Sequence, residues 1–302
     1  MQLGVSTSCF REISLPESLR WAGQIGFQAV EIECPPLRGS SSWYQHSALN
    51  IAGLDGPSRD AFATALEKNG LRTAALEWRG NLLESDSARR ETATEHLARL
   101  VETAATLGIA VVVVPVGRDP TMPLGDSIAE FARRARPVIE QAENSGVRLA
   151  IDTCPMVGWQ FEDMPGNAAF SPELWEKLFT HVRSPAVGLA LSPADLAWLG
   201  CDPLGAVTDY AEKTFHIRAQ DIEIVDQRRQ DCSVLRPSGG WWRYRLPGLG
   251  SIDWRRLVDR LLELKYQGAL VVRHEDPVWQ GGLEQVTSGL GLARRHLVQF
   301  LP

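Results

Sequence analysis

Four polar residues stand at the ends of four apolar, β-rich runs of this chain: Asp152, Ser192, Arg218 and Arg273. If those runs are parallel strands of one sheet or barrel, their ends meet in one site. A guanidinium presents five N–H donors in a planar fork that matches a carboxylate or a phosphate, and it has no lone pair to offer a metal. Three chemistries stay open for such a set. The arginines can be neutralised internally by Asp152, with help from Asp195, because buried charge is costly unless paired. They can clamp the carboxylate or phosphate of a ligand, pairing with Asp152 until the ligand arrives. A divalent ion held by some rearranged set of ligands is the third.

Neighbouring residues extend the set. Glu77 closes an earlier run and faces the same end, as a general base or as an arginine partner. Glu275 lies just beyond Arg273 and is a further carboxylate for moving a proton. His216 precedes Arg218 by two, so the strand period puts both on one face, as a core histidine or a ligand contact. His274 follows Arg273 and points the other way, toward the helices. The run Trp241, Trp242, Arg243, Tyr244, Arg245 interleaves aromatics with arginines, a pattern also found where single-stranded nucleic acid stacks.

The whole-chain numbers weigh against that last use. A net charge of −6 over 302 residues gives no electrostatic footprint for nucleic acid or an anionic membrane. At 44% hydrophobic and 23% charged the composition is that of an ordinary globular protein, with no apolar run near the length of a membrane span. The opening MQLGVSTSCF lacks the basic and apolar regions of a secretory signal. Cys9, Cys34, Cys154, Cys201 and Cys232 are odd in number and show no CxxC spacing, which fits free thiols in a reducing compartment and hence the cytoplasm.

Short β-rich runs alternate with helical patterns from end to end. Strands are expected at 3–6, 29–33, 72–78, 109–116, 147–152, 187–192, 214–218 and 269–273. Ser14 is a plausible N-cap for a helix with the stripe Leu19, Ala22, Ile25. A helix through Ile128, Phe131, Ala135, Val138, Ile139 and Ala142 should end at Gly146 and kink or break at Pro137. Another, repeating Leu257, Val258, Leu261 and Leu262, has a plausible start at Ser251. Eight alternations without a composition break predict one (β/α)8 barrel over 1–302, with its site at the C-terminal mouth of the strands. A doubly wound open sheet would want a glycine-rich phosphate loop after an early strand, and there is none. Long segments at 35–54 (with Trp43, Tyr44 and His46), 154–170 (with Trp159, Met164 and Pro165) and 220–250 fall where a barrel needs the walls of its site.

Several motifs in fixed order resemble one family. GWWRYRLPGLG at 240–250, followed by Ile252, Asp253 and Trp254, is similar to a stretch of sugar phosphate isomerases/epimerases with the xylose isomerase-like barrel, in the AP endonuclease 2 superfamily. HEDP at 274–277, LAIDTCPM at 149–156, Val187-Gly188-Leu189 with Pro193, Leu196, Trp198, Gly200 and Asp202, HIRAQD at 216–221 and the opening LGVSTSCF resemble the same family in turn. The resemblance spans essentially the whole chain.

In metal-dependent members, four ligands come from the ends of strands five to eight: Glu, Asp, His and Glu. Such a set suits Mn²⁺, Mg²⁺, Co²⁺ or Zn²⁺. The positions that match here hold Asp152, Ser192, Arg218 and Arg273, with Asp195 where the family often has a histidine. The resemblance therefore implies a sugar (phosphate) isomerase/epimerase-like protein whose metal positions are substituted. No cofactor is expected, and a divalent ion only with another ligand set. The ligand would be a small polyol, sugar acid or sugar phosphate, held by Arg218 and Arg273 beside His216, Ser192, Asp195 and Trp242. Catalysis without metal would need Glu77, Asp152 or Glu275 to move the proton. A non-catalytic carbohydrate-binding or scaffold barrel is one alternative, and an active metal-dependent ketose epimerase is the other. The superfamily's DNA-repair endonuclease needs a multi-metal His/Glu site whose ligands are absent here, and pairing of two barrels through loops around the mouth is an expectation from analogy alone.

Overall fold

The computed structural model describes residues 1–36, 42–155, 166–234 and 240–302. Eight parallel strands close into a barrel: β1 Gln2–Ser6, β2 Ala29–Glu33, β3 Arg72–Glu77, β4 Val111–Val114, β5 Arg148–Asp152, β6 Val187–Leu191, β7 Thr214–Ala219 and β8 Ala269–Val272. Each pairs with the next, and β8 returns to β1, with Leu3 beside Leu270. All eight expected strands are present. The third stops at Glu77 and the fourth is shorter than the 109–116 run, because strand pairing ends before the apolar pattern does.

Helices pack outside. The helix α1 Leu15–Ile25 begins at Ser14 in a capping box: the Ser14 side chain accepts from the Glu17 backbone and Glu17 returns a bond. Such a cap stabilises the helix by about 1 kcal/mol. After α2 Gly56–Lys68 and α3 Ser87–Thr106 comes α4 Leu124–Ser145, which runs unbroken through Pro137 and ends on Gly146 in the left-handed conformation. The expected break is absent because Pro137 lies on the exposed face, where water can serve the carbonyl it leaves unbonded. The Leu257 helix starts at Trp254 and is capped by Asp253, whose side chain accepts from the Arg256 backbone, two residues later than Ser251.

The inner wall is built from small residues: Ala75, Val113, Ala150 and Ala190 cluster there with Phe215. At Gly188 a side chain could not fit, since a Cβ would lie 2.3 Å from the Lys213 carbonyl and 2.6 Å from the Phe215 ring. The register of β7 against β6 shifts between Leu189 and Ala190: Leu189 pairs with Thr214, then Ala190 with His216. Phe215 is the extra residue of this bulge, and bulges re-aim side chains. Small walls at mid-height leave room above them for long charged side chains.

The described residues of segment 220–250 include strands and a helix. Asp221–Ile224 pairs antiparallel with Trp242–Arg245, so most of the aromatic–arginine run is a strand of a hairpin over the mouth. A short helix, Asp226–Cys232, lies between them. In segment 35–54, Tyr44–Gln45 and Ala48–Leu49 make a second hairpin around His46. Trp159, Met164 and Pro165 lie outside the described residues, as does Met156 of the LAIDTCPM motif. No described helix is long and apolar enough to cross a membrane.

Candidate functional site at the barrel mouth

Arg218, next to last in β7, reaches across the barrel and is only 1% exposed. Its three nitrogens meet three carboxylates from three strands. Nε donates to Glu31 Oε2 at 3.3 Å, Nη1 to Asp152 Oδ2 at 2.7 Å and Nη2 to Glu77 Oε1 at 2.6 Å. The strand period makes this possible, because Glu31, Glu77 and Asp152 all occupy inward positions near the C-terminal ends of β2, β3 and β5. Glu77 Oε1 also accepts from Arg273 Nη1 at 3.2 Å and from Arg79 Nε at 3.0 Å. Arg273 Nε donates to Glu275 at 3.0 Å.

Burial acts to raise the carboxyl pKa of Glu77, yet attraction to Arg218, Arg273 and Arg79 outweighs it and holds the group below the ordinary range. Glu31 and Asp152 follow the same balance, burial opposed chiefly by Arg218, and both are lowered. Burial would lower Arg218; Asp152, Glu31 and Glu77 together hold it well above its ordinary value. These groups stay charged across the physiological range. Glu31 Oε1 and Glu77 Oε2 are buried and accept no hydrogen bond among the described residues.

Above this layer lies a cavity of about 150 Å³, lined by Arg79, Asp195, Gln220, Trp242, Arg273 and Glu275, with Arg218 at its floor. Trp198 and Trp242 stack at one side, ring centres 4.9 Å apart and planes 11° from parallel. Tyr244 donates its hydroxyl to Asp195. Burial, added to by Asp152 nearby and only partly offset by the Tyr244 bond, raises Asp195 to about 6. Ser192 is 1% exposed, and its hydroxyl accepts from the Asp195 backbone as the cap of helix α5 Pro193–Trp198.

The specific-looking motifs mostly build the frame. Asp221 is fully buried, and its carboxylate accepts from the backbones of Ile222, Gly248 and Ile252 and from Trp254 Nε1 at 2.8 Å. Asp276 accepts from Arg245 Nε at 2.8 Å and from the Leu246 and Val278 backbones. These bonds fasten the hairpin strand to both neighbouring barrel strands and so fix Trp242 and Tyr244 over the mouth.

The structure thus brings Glu77, Asp152, Arg218, Arg273, Glu275, Asp195 and Trp242 to one end, with Ser192 at the edge. His216 sits below Arg218, one layer deeper. Its Nε2 is 2.8 Å from Glu31 Oε2, but off the line of an N–H···O bond. Glu31 and Arg79 were not singled out from sequence, and Gln220, Trp198 and Tyr244 figured there only within motifs. Glu31 had a signal, since Ala29, Glu31 and Glu33 alternate with Val30 and Ile32. For Arg79 there was none, because it lies beyond the end of its strand.

The donor set argues against a divalent ion at the positions where the resemblance placed one. Arg218 and Arg273 cannot coordinate, and the Asp152 oxygen that faces the centre already binds Arg218. Among the described residues, no group of three or more His, Cys, Asp and Glu side chains is arranged to hold a metal ion.

Barrel, inward charged ends and hairpin frame define the class. The xylose isomerase-like TIM barrel family matches residues 19–295, and the chain belongs to that family. It is 23% identical to YfiH of Bacillus subtilis (strain 168) over 303 residues, covering 91% of this chain and 93% of that one. It is 26% identical over 241 residues to the rhizopine catabolism protein MocC of Rhizobium meliloti, covering 77% and 72%. Among solved structures, D-psicose 3-epimerase from Clostridium cellulolyticum H10, with D-tagatose, has a similar fold: TM-score 0.72 at 15% identity, covering 100% of this chain and 99% of that one.

Proposed function

We propose that this is a sugar isomerase/epimerase-like barrel in which fixed guanidiniums take the place of a divalent ion. In this reading it binds a small polyol, sugar acid or sugar phosphate at the mouth. The observation that carries the reading is Arg218, held by Glu31, Glu77 and Asp152 at the convergence of the strand ends. Arg218 and Arg273 together supply two positive charges, as a divalent ion would.

The division of labour follows from what each group has left to offer. Arg218 is committed to three carboxylates. Arg273 and Arg79 keep N–H donors beyond their bonds to Glu77 and Glu275, so they meet the anionic group. The stacked Trp198 and Trp242 present an apolar face to a sugar ring, and the buried Gln220 Nε2, unpartnered among the described residues, donates to a ligand oxygen. A general base works best with a pKa near the working pH. Glu77 and Asp152 are held too low, so they position arginines. Proton transfer between adjacent carbons falls to Asp195, relayed by Tyr244, and to Glu275. Asp195 or Glu275 takes the proton alpha to the carbonyl, the electron pair moves onto oxygen as an enediolate beside Arg273, and the proton returns to the neighbouring carbon or the opposite face.

The first test is metal content after incubation with Mn²⁺ and Zn²⁺ and desalting, followed by melting with aldonic acids, sugar phosphates and neutral ketoses. No retained ion is expected, with a rise in Tm for the anionic sugars only, lost in Arg273→Ala. Close to one ion per chain would sink the reading in favour of a metal-dependent epimerase. A second reading, a carbohydrate-binding barrel without chemistry, is favoured by the lowered pKa of Glu77 and Asp152. Incorporation of solvent deuterium into a bound sugar separates the two.

A further inference from the structure

The opposite end of the barrel holds a second cavity, and its chemistry is that of an anion site. It measures about 380 Å³, within the range of roughly 300–1,000 Å³ typical of ligand pockets. It opens at the N-terminal ends of the strands. Its polar lining includes Arg72, Arg148, Thr73 and His216; its apolar lining includes Phe62, Leu66, Ile109, Val111 and Phe215. No Asp or Glu lines it among the described residues.

The two arginines are unneutralised. Arg148 lies over the Phe215 ring, its Cζ 4.9 Å from the centroid, and no carboxylate comes within ion-pair distance of it among the described residues. Arg72 is held only by the neutral Gln2 side chain, with Nε donating at 2.8 Å. One buried group points to a missing partner. The Thr73 hydroxyl is buried without a hydrogen bond among the described residues. His216, 1% exposed, also lines this cavity, with its Nε2 2.8 Å from Glu31 Oε2 on the far side. An unsatisfied buried polar group costs about 1–3 kcal/mol unless something pairs with it.

We infer that this base cavity binds a small phosphate or carboxylate carrying a compact apolar body. Arg72 and Arg148 take the charge, Thr73 takes an oxygen, and the apolar wall with Phe215 covers the body. His216 gives the site a route to the mouth, because its ring also touches Glu31, which accepts from Arg218. The inference goes beyond the proposed mouth function and does not depend on it.

Inorganic phosphate and phenyl phosphate, titrated calorimetrically at constant ionic strength, test it. Two surface variants and one mouth variant assign the site. In Arg273→Ala, which alters only the mouth, saturable binding of phenyl phosphate should persist, tighter than inorganic phosphate. In Arg148→Ala, whose side chain is exposed and whose fold should hold, binding should weaken at least tenfold. Thr73→Val should weaken it by a smaller factor. The inference is overturned by the absence of saturable binding in Arg273→Ala, or by binding that Arg148→Ala leaves unchanged.

Discussion

The two ends of this barrel use arginine in opposite ways. At the mouth, Arg218 and Arg273 are 1% and 3% exposed, and their guanidiniums bond to the carboxylates of Glu31, Glu77, Asp152 and Glu275. At the base, Arg72 and Arg148 are exposed and lean on an amide and an aromatic ring. Depth is the reason for the difference. A charge taken fully out of water must be neutralised in place, whereas a charge at a rim is still served by water. The mouth therefore carries its counter-ions with it, and a ligand there competes with Glu77 and Glu275. A ligand at the base would displace only water.

That contrast can be broken or sharpened by experiment. The largest effect should come from Arg218→Ala, which leaves Glu31, Glu77 and Asp152 buried together without their cation. Removing one partner of a buried ion pair costs about 3–5 kcal/mol, and with three carboxylates the loss should lie at the upper end. Millimolar Mn²⁺ should restore part of the lost stability in this variant and leave the unaltered protein unmoved. A denaturation midpoint close to that of the unaltered protein would mean that the guanidinium does not neutralise the cluster.

A middle-sized effect, with a pH signature, should come from Asp195→Asn. Burial raises this carboxyl from 3.8 to about 6 in the folded protein. Below pH 3.8 it is protonated folded or unfolded and costs nothing. Between pH 3.8 and about 6 the unfolded chain releases this proton and the folded protein retains it, so stability falls by about 3 kcal/mol in all and stays lower above that range. The asparagine variant escapes that cost, so its stability relative to the unaltered protein should climb between pH 4 and pH 7. A pH-independent difference in chemical denaturation would sink the assignment. The arginine-paired Glu31 and Asp152 have the opposite sign: their stabilisation is present above the ordinary carboxylate range and fades as pH falls through it.

The smallest effect should be Arg148→Ala on stability. Surface substitutions away from special features stay within about 0.5 kcal/mol, and the melting curve of the ligand-free protein should hardly move. A loss above about 2 kcal/mol would show that this arginine is structural, erasing the contrast between the two ends.

Much of the barrel was legible in one dimension. Alternating strand and helix patterns, the Ser14 cap and the Gly146 stop each depend on residues close together in the chain. The candidate site was legible in part. Asp152, Arg218 and Arg273 could be aligned as strand ends, and pairing of the arginines with carboxylates follows from the cost of buried charge. Ser192 read as a site residue and is also a helix cap, because a hydroxyl that ends a strand is placed to begin a helix. Glu77 read as a base or an arginine partner, and three guanidiniums on one oxygen favour the second.

By itself the sequence determined the closed barrel and the inward charges, since side-chain type and strand period are local properties. Tertiary structure alone decided that Arg218 lies among Glu31, Glu77 and Asp152, residues 187, 141 and 66 positions away in the chain. It alone laid Tyr244 against Asp195 and set His216 between two cavities. Those contacts depend on which strands become neighbours across the barrel, on a one-residue bulge at Phe215 and on a hairpin pinned by Asp221 and Asp276. No local pattern encodes distances that only closure of the barrel creates.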